Sequence, residues 1–439
     1  MFWVGFQRRL REKLPAVTKR RVLGVLVIAL VGAFAFASAD RCGQWPSSSP
    51  VMSLVARGSG PASVGAAKVA IALPGAVTVG GYGPPRSSAT SGDPVYARAT
   101  IVDVGGTKIA MVSLEVLLLT QPLVTAIREG AEVPVFVTAT HTHSSLGQFD
   151  RRLASQVAAL GSFDQDVESA IVAAARTALA EAKHQLVPVT MEVRAFSTSS
   201  FVRARSGDSV DTRGLEVSFV KPEGGRVARW LLLAAHPTLA PRRGASFDTD
   251  WPGLLAEDGD GVTLVLQTSV GNASVNKDVA PNEAVVVAQV KEALTHSVKI
   301  EGCEPTLSLA TAHTALPRPD GSRLAPWPFR AAADNALCAS AEMEVEVSML
   351  RLGCVSLLAL PVEPSFATAQ QLETLTGATR VLALSNGYVG YLEPPDVIRN
   401  GLGEAKRQWF GPELFDWLSP ASALVATMSR PKGPHVEGQ

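Results

Sequence analysis

The sequence predicts an α/β chain of mixed β-sheets flanked by helices, forming one large domain whose functional groups sit at the carboxyl ends of strands. Short apolar runs bounded by turn residues alternate with segments of helical periodicity. Of the 439 residues, 46% are hydrophobic and only 18% charged, which is enough to bury a sizeable core. Several apolar runs end abruptly in polar residues capable of chemistry. Forty Lys and Arg balance forty Asp and Glu, with no long basic run after the N-terminus. Disorder is thereby excluded as the main state, and nucleic acid is not an expected partner.

Taken in order, residues 1–42 read as a signal peptide or an N-terminal membrane anchor. Cations from Arg8 to Arg21 precede an uncharged stretch, 22–39, that ends in small residues. The basic flank places the chain beyond residue 42 on the outer side, membrane-anchored or secreted. Residues 43–65, with Pro, Ser and Gly, read as a flexible linker. The domain then covers 66–428, and 429–439 read as a disordered tail. Strands are expected at 96–104, 108–119, 133–140, 187–196, 215–220, 227–235, 261–268, 343–360 and 381–384. Helices are expected at 165–184, 282–296 and 365–376. Cys42, Cys303, Cys338 and Cys354 lack Cys-x-x-Cys spacing and so read as disulfide or buried thiol rather than metal ligands, with Cys303–Cys338 the expected bridge.

The candidate chemistry lies just beyond the strands. The run 134–140 leads into His141-Thr142-His143; 230–235 into His236; 263–268 into Gly271-Asn272-Ala273-Ser274; 355–361 into Glu363; and 381–384 into Asn386-Gly387-Tyr388-Val389-Gly390-Tyr391. In α/β sheets ligands gather beyond strand carboxyl ends, so these endings are expected to converge. His141 and His143, two apart on extended chain, share a face. Imidazoles with a carboxylate suit a catalytic Zn²⁺, whereas each residue taken singly is equally at home as a structural hydrogen-bonding group. His-Glu-x-x-His is absent, which excludes the helix-borne zinc peptidase arrangement.

Together the segments 141–144, 235–238, 250–253, 267–276, 361–364 and 386–391 resemble, in order, the neutral/alkaline non-lysosomal ceramidases, with Gly80-Gly81-Tyr82-Gly83 as a further likeness upstream. The resemblance implies a hydrolase that cleaves the N-acyl amide of a ceramide-like lipid to a fatty acid and a sphingoid base, using one zinc ion per chain. It implies His141, His236, Glu363 and Tyr391 as metal ligands. His143 then assists proton transfer or holds the carbonyl, Ser274 is either the nucleophile or a substrate-gripping hydroxyl, and Arg203 is the active-site arginine, with Arg205 as alternative. Zinc-activated water or Ser274 makes the attack. There are two departures. The family's second tyrosine, twelve residues after the metal-binding one, falls on Gly403, leaving Tyr388 or a histidine to replace it; and the family's immunoglobulin-like C-terminal domain has no counterpart in this sequence. Other readings are a metal hydrolase of another amide or ester, a Ser274/His236/Asp250 triad lacking the Gly-x-Ser-x-Gly elbow, and a non-catalytic membrane-anchored lipid-binding homologue. Trp327, between Pro326 and Pro328, and Phe329 after it are the candidate lipid-entrance rim.

Overall fold

A computed structural model describes residues 49–430 apart from 87, 207–208, 243, 324–329 and 339–340, together with 24, 43, 45 and 46. Nearly all of the leader, the Trp327/Phe329 rim and residues 431–439 therefore lie outside the described residues. Among the described residues no helix is long and apolar enough to cross a membrane.

Two sheets lie face to face with helices on both outer surfaces. The larger sheet has the order Val262–Gln267, Arg226–Leu233, Arg213–Val220, Val187–Ser197, Ala62–Ala70, Tyr96–Val104, Thr107–Leu114, Val135–Ala139, with Val298–Ile300 paired to Val187–Ser197. The smaller has the order Val51–Ser59, Thr306–Ala315, Glu344–Leu352, Val355–Ala359, Arg380–Leu382. Alternation along each strand builds the layers. Val102 and Val104 face Leu307, Leu309, Leu350 and Leu357 in the inter-sheet core. Ala97, Ala99 and Ile101 on the opposite face meet the helix Gln165–His184 through Ala174, Ala175 and Ala178. Beyond the smaller sheet, Val347 and Met349 pack on the helices Phe366–Thr376 and Leu414–Met428. A fourth core sets the helices Asp250–Ala256 and Glu283–Thr295 against Leu231, Leu233 and Val265.

Three pairings in these mostly antiparallel sheets are parallel: Arg226–Leu233 with Val262–Gln267, Thr107–Leu114 with Val135–Ala139, and Val355–Ala359 with Arg380–Leu382. Parallel neighbours finish on the same side. That is how residues spread from 141 to 391 are delivered to one place.

Several expectations need correction. The linker expected at 43–65 is in large part sheet: Val51–Ser59 is a nine-residue strand paired to Thr306–Ala315, and Ala62–Ala70 pairs with Tyr96–Val104. The run 343–360 is two antiparallel strands turning at Gly353, whose φ of 54° suits a residue without Cβ. Cys303 bonds Cys354 beside that turn rather than Cys338, which is also disulfide-bonded, and no described cysteine is free. Ser429 is buried, and its carbonyl accepts from the Ser308 hydroxyl, so the fold runs past the expected start of the tail.

Candidate active site

Each imidazole is fixed by a backbone carbonyl at Nδ1. His141 reaches Leu117 O at 2.7 Å, His143 reaches Gly81 O at 2.8 Å and His236 reaches Ala273 O at 3.0 Å. A carbonyl only accepts, so each Nδ1 carries the proton and each Nε2 presents a lone pair. His141 itself has φ of 70°, an uncommon conformation for a side chain with a Cβ, at the point where the chain leaves Val135–Ala139.

The three lone pairs face one another across a small space. Ring centroids lie 4.8 Å apart for His141 with His143 and with His236, and 5.9 Å for His143 with His236. Glu363, 1% exposed, directs Oε2 at His141 Nε2 (3.2 Å) and at His236 Nε2 (3.0 Å). His141 Nε2, His143 Nε2 and Glu363 Oε2 are buried with no hydrogen-bond partner among the described residues. Acceptors crowded in this way call for a shared proton or a cation between them. Tetrahedral ligands about 2.0 Å from a zinc ion stand about 3.3 Å apart, close to these contacts. The three histidines form a group whose ligand atoms lie within 4.8 Å, a set able to hold a metal ion. The Tyr391 hydroxyl is 3.2 Å from His236 Nε2, and Tyr388 donates to Glu363 Oε1 at 2.6 Å.

Burial and nearby basic groups hold His143 and His236 neutral. Desolvation first, then Arg205, brings His236 down to about 4. Desolvation, then His141 and His236, lowers His143 well below its ordinary value. Burial opposes ionisation of Glu363, and the carboxyl is held well below the usual range only where positive charge on the facing His141 and His236, or a cation between them, offsets that burial. Burial and then Glu363 raise both Tyr388 and Tyr391 well above an ordinary phenol.

No family model matches the sequence, and no curated protein matches it. Among solved structures, the crystal structure of neutral ceramidase from Pseudomonas aeruginosa is similar with a TM-score of 0.67 at 17% identity, covering 84% of this chain and 74% of that chain. A ceramidase complexed with C2 gives 0.68 at 16% identity, covering 84% and 75%. The chain has the neutral ceramidase fold.

Within that ceramidase fold the expected site residues are gathered unevenly. His141, His143, His236, Glu363 and Tyr391 meet as described. Ser274 forms a parallel bridge with His236, which puts it at the rim of the imidazole group. Arg203 lies opposite Ser274 in the ladder with its side chain exposed. Arg205, two residues on, donates to Tyr391 Oη at 2.9 Å and to Gly271 O at 2.7 Å. The triad reading fails on geometry. Asp250 Oδ2 accepts from the amides of Leu239 and Ala240, and Oδ1 from that of Trp251, while both His236 nitrogens are engaged elsewhere. Tyr388 does not stand in for the phenol missing at Gly403, since its hydroxyl is committed to Glu363. A Cβ at Gly403 would sit 2.6 Å from Glu393 Oε1.

Supporting residues carry little signal in the sequence. Gln267 ties two of the strand ends, donating to Thr140 O at 3.0 Å and accepting from Ala235 N at 3.4 Å. Arg86 donates to Gly80 O and His143 O at 2.9 and 2.6 Å. Gly81 has φ of 117° and lies so close to the His143 backbone that any Cβ would collide with it; its carbonyl holds His143 Nδ1. The Gly80–Gly83 run is the one available signal for this support. A cavity of about 550 Å³ lined by Ile127, Val133 and Lys183 contains none of these residues, so the unpartnered polar atoms, not the concavity, mark the site.

Proposed function

We propose that the chain is a zinc-dependent amidohydrolase that cleaves the N-acyl amide of ceramide-like lipids to fatty acid and sphingoid base. The observation that carries it is the unpartnered Glu363 Oε2 facing two Nε2 lone pairs at 3.0 and 3.2 Å. The residues present fit a zinc ion: His141, His236 and Glu363 would hold it, with Tyr391 closing the set and His143 beside it. When bound, such an ion supplies Lewis acidity to the carbonyl and lowers the pKa of water to about 7.

The chain's own groups supply the rest. His143, neutral with its Nε2 lone pair aimed inward, accepts the proton of the attacking water and returns it to the leaving amine. Arg205 holds the Tyr391 hydroxyl in place and keeps positive charge beside the developing oxyanion. Ser274, at the rim, grips a hydroxyl of the substrate or attacks directly. The N-terminal stretch exports the domain and either anchors it or is removed, which brings the site to lipid outside the cytoplasm. Gly403 favours a second reading, that another amide or ester is the substrate, because the family's second phenol is not present to stabilise ceramide's transition state.

The test is hydrolysis of a fluorescent short-chain ceramide by the exported chain as isolated, after chelation, and after zinc return. Turnover that is lost and then restored supports the proposal. Metal bound without ceramide turnover moves the substrate to another amide or ester.

A further inference from the structure

We propose that Tyr388 is a positioning residue that makes Glu363 a one-oxygen metal ligand. The inference rests on the metal-hydrolase reading and extends it to a residue that reading does not use. The two oxygens of Glu363 have different partners. Oε2 faces His141 and His236 and has no hydrogen-bond donor, whereas Oε1 accepts the Tyr388 hydroxyl at 2.6 Å. Rotation of the carboxylate would exchange these roles or bring both oxygens toward one ion. A short charge-assisted hydrogen bond in a buried setting opposes that rotation.

The phenol is itself held rigidly. The Tyr388 carbonyl accepts from Arg152 Nη1 at 3.0 Å, and Arg152 forks onto buried Asp150 at 2.8 to 3.0 Å. Two residues before Tyr388, Asn386 has φ of 59°, accepts from Val137 N at 2.9 Å and donates to Glu346 at 2.7 Å. The loop carrying Tyr388 is thus fastened to the strand that delivers His141. One consequence is room at the ion for water or substrate, because the second carboxylate oxygen is occupied. Another is selectivity, since two-oxygen carboxylates suit larger hard cations such as Ca²⁺.

The experiment is Tyr388→Phe in the full chain, read by zinc affinity against a chromophoric chelator and by the visible spectrum of the cobalt-substituted protein. The proposal expects zinc affinity to fall roughly 10- to 100-fold, the cobalt band to lose intensity as coordination number rises, and Ca²⁺ to compete better. On a Glu363→Gln background the same substitution should have little further effect. Incorporation of 3-fluorotyrosine at 388, which keeps ring and donor, should restore both readouts and serves as the probe if Tyr388→Phe does not fold. Unchanged affinity and spectrum in Tyr388→Phe overturn the positioning role alone. An equal loss on the Glu363→Gln background, or no recovery with the fluorinated ring, overturns it as well. A wild-type chain that holds no zinc overturns both this role and the metal-hydrolase reading.

Discussion

Acidification of the metal-free protein measures the burial of the site directly. His236 is buried and its pKa falls to about 4, chiefly through desolvation and secondly through Arg205, against about 6.5 for an unfolded histidine. Between these values the unfolded chain binds a proton that the folded chain refuses, so stability rises with pH and is lost as pH falls. From pH 7 to pH 5 the linkage gives about 2 kcal/mol for His236 alone. His143, lowered for the same reason, adds with the same sign, whereas Asp250, raised to about 6 chiefly by burial, acts with the opposite sign over this range. The assay is urea denaturation of chelator-treated protein at pH 7 and pH 5, with His236→Gln beside it. Between the two pH values the wild type should lose about 2 kcal/mol more than the variant. An equal dependence on pH in the wild type and the variant would refute the claim that His236 is buried and neutral.

Two other contacts carry expectations of their own. Cys303→Ser, which opens a disulfide spanning 51 residues, should cost about 2–4 kcal/mol, near the upper value that loop-closure entropy gives for that span; a denaturant midpoint unchanged from wild type under oxidising conditions would contradict the pairing. Arg205→Ala should lower kcat about 100-fold, by analogy with loss of one oxyanion-side donor, while Arg203→Ala, on an exposed side chain, should leave kcat within a factor of two or three; equal losses in the two would reverse the assignment.

The parts of this molecule that are legible in its sequence are those where local pattern and tertiary demand agree. Gln165–His184 shows a helical stripe of alanines and is found with those bounds. The strand at 96–104 is likewise found as expected. By contrast, Val51–Ser59 is an edge strand just after a Pro- and Ser-bearing stretch, and Thr306–Ala315 mixes Ser and Thr with Ala and Leu. Neither pattern separates a strand from a loop without its partner, and each is the other's partner. The Cys303–Cys354 pairing depends on a hairpin turn, and spacing does not determine connectivity.

At the site, residue types are readable because polar groups interrupt the apolar runs that lead into His141, His236 and Glu363. The groups that fix them are not. Leu117 O, Gly81 O and Ala273 O are backbone atoms that any residue supplies, so sequence carries no mark of their role except where close packing demands Gly81. Arg203 and Arg205 differ only in where a three-residue strand stops, which pattern does not resolve.

The most direct test of the central claim is the metal content of the purified chain beside that of His236→Ala and Glu363→Gln. Convergence of His141, His236 and Glu363 on one ion predicts about one zinc per chain in the wild type and loss of most of it in each variant. Full zinc retention in both variants, or a wild type that takes up none, would contradict it.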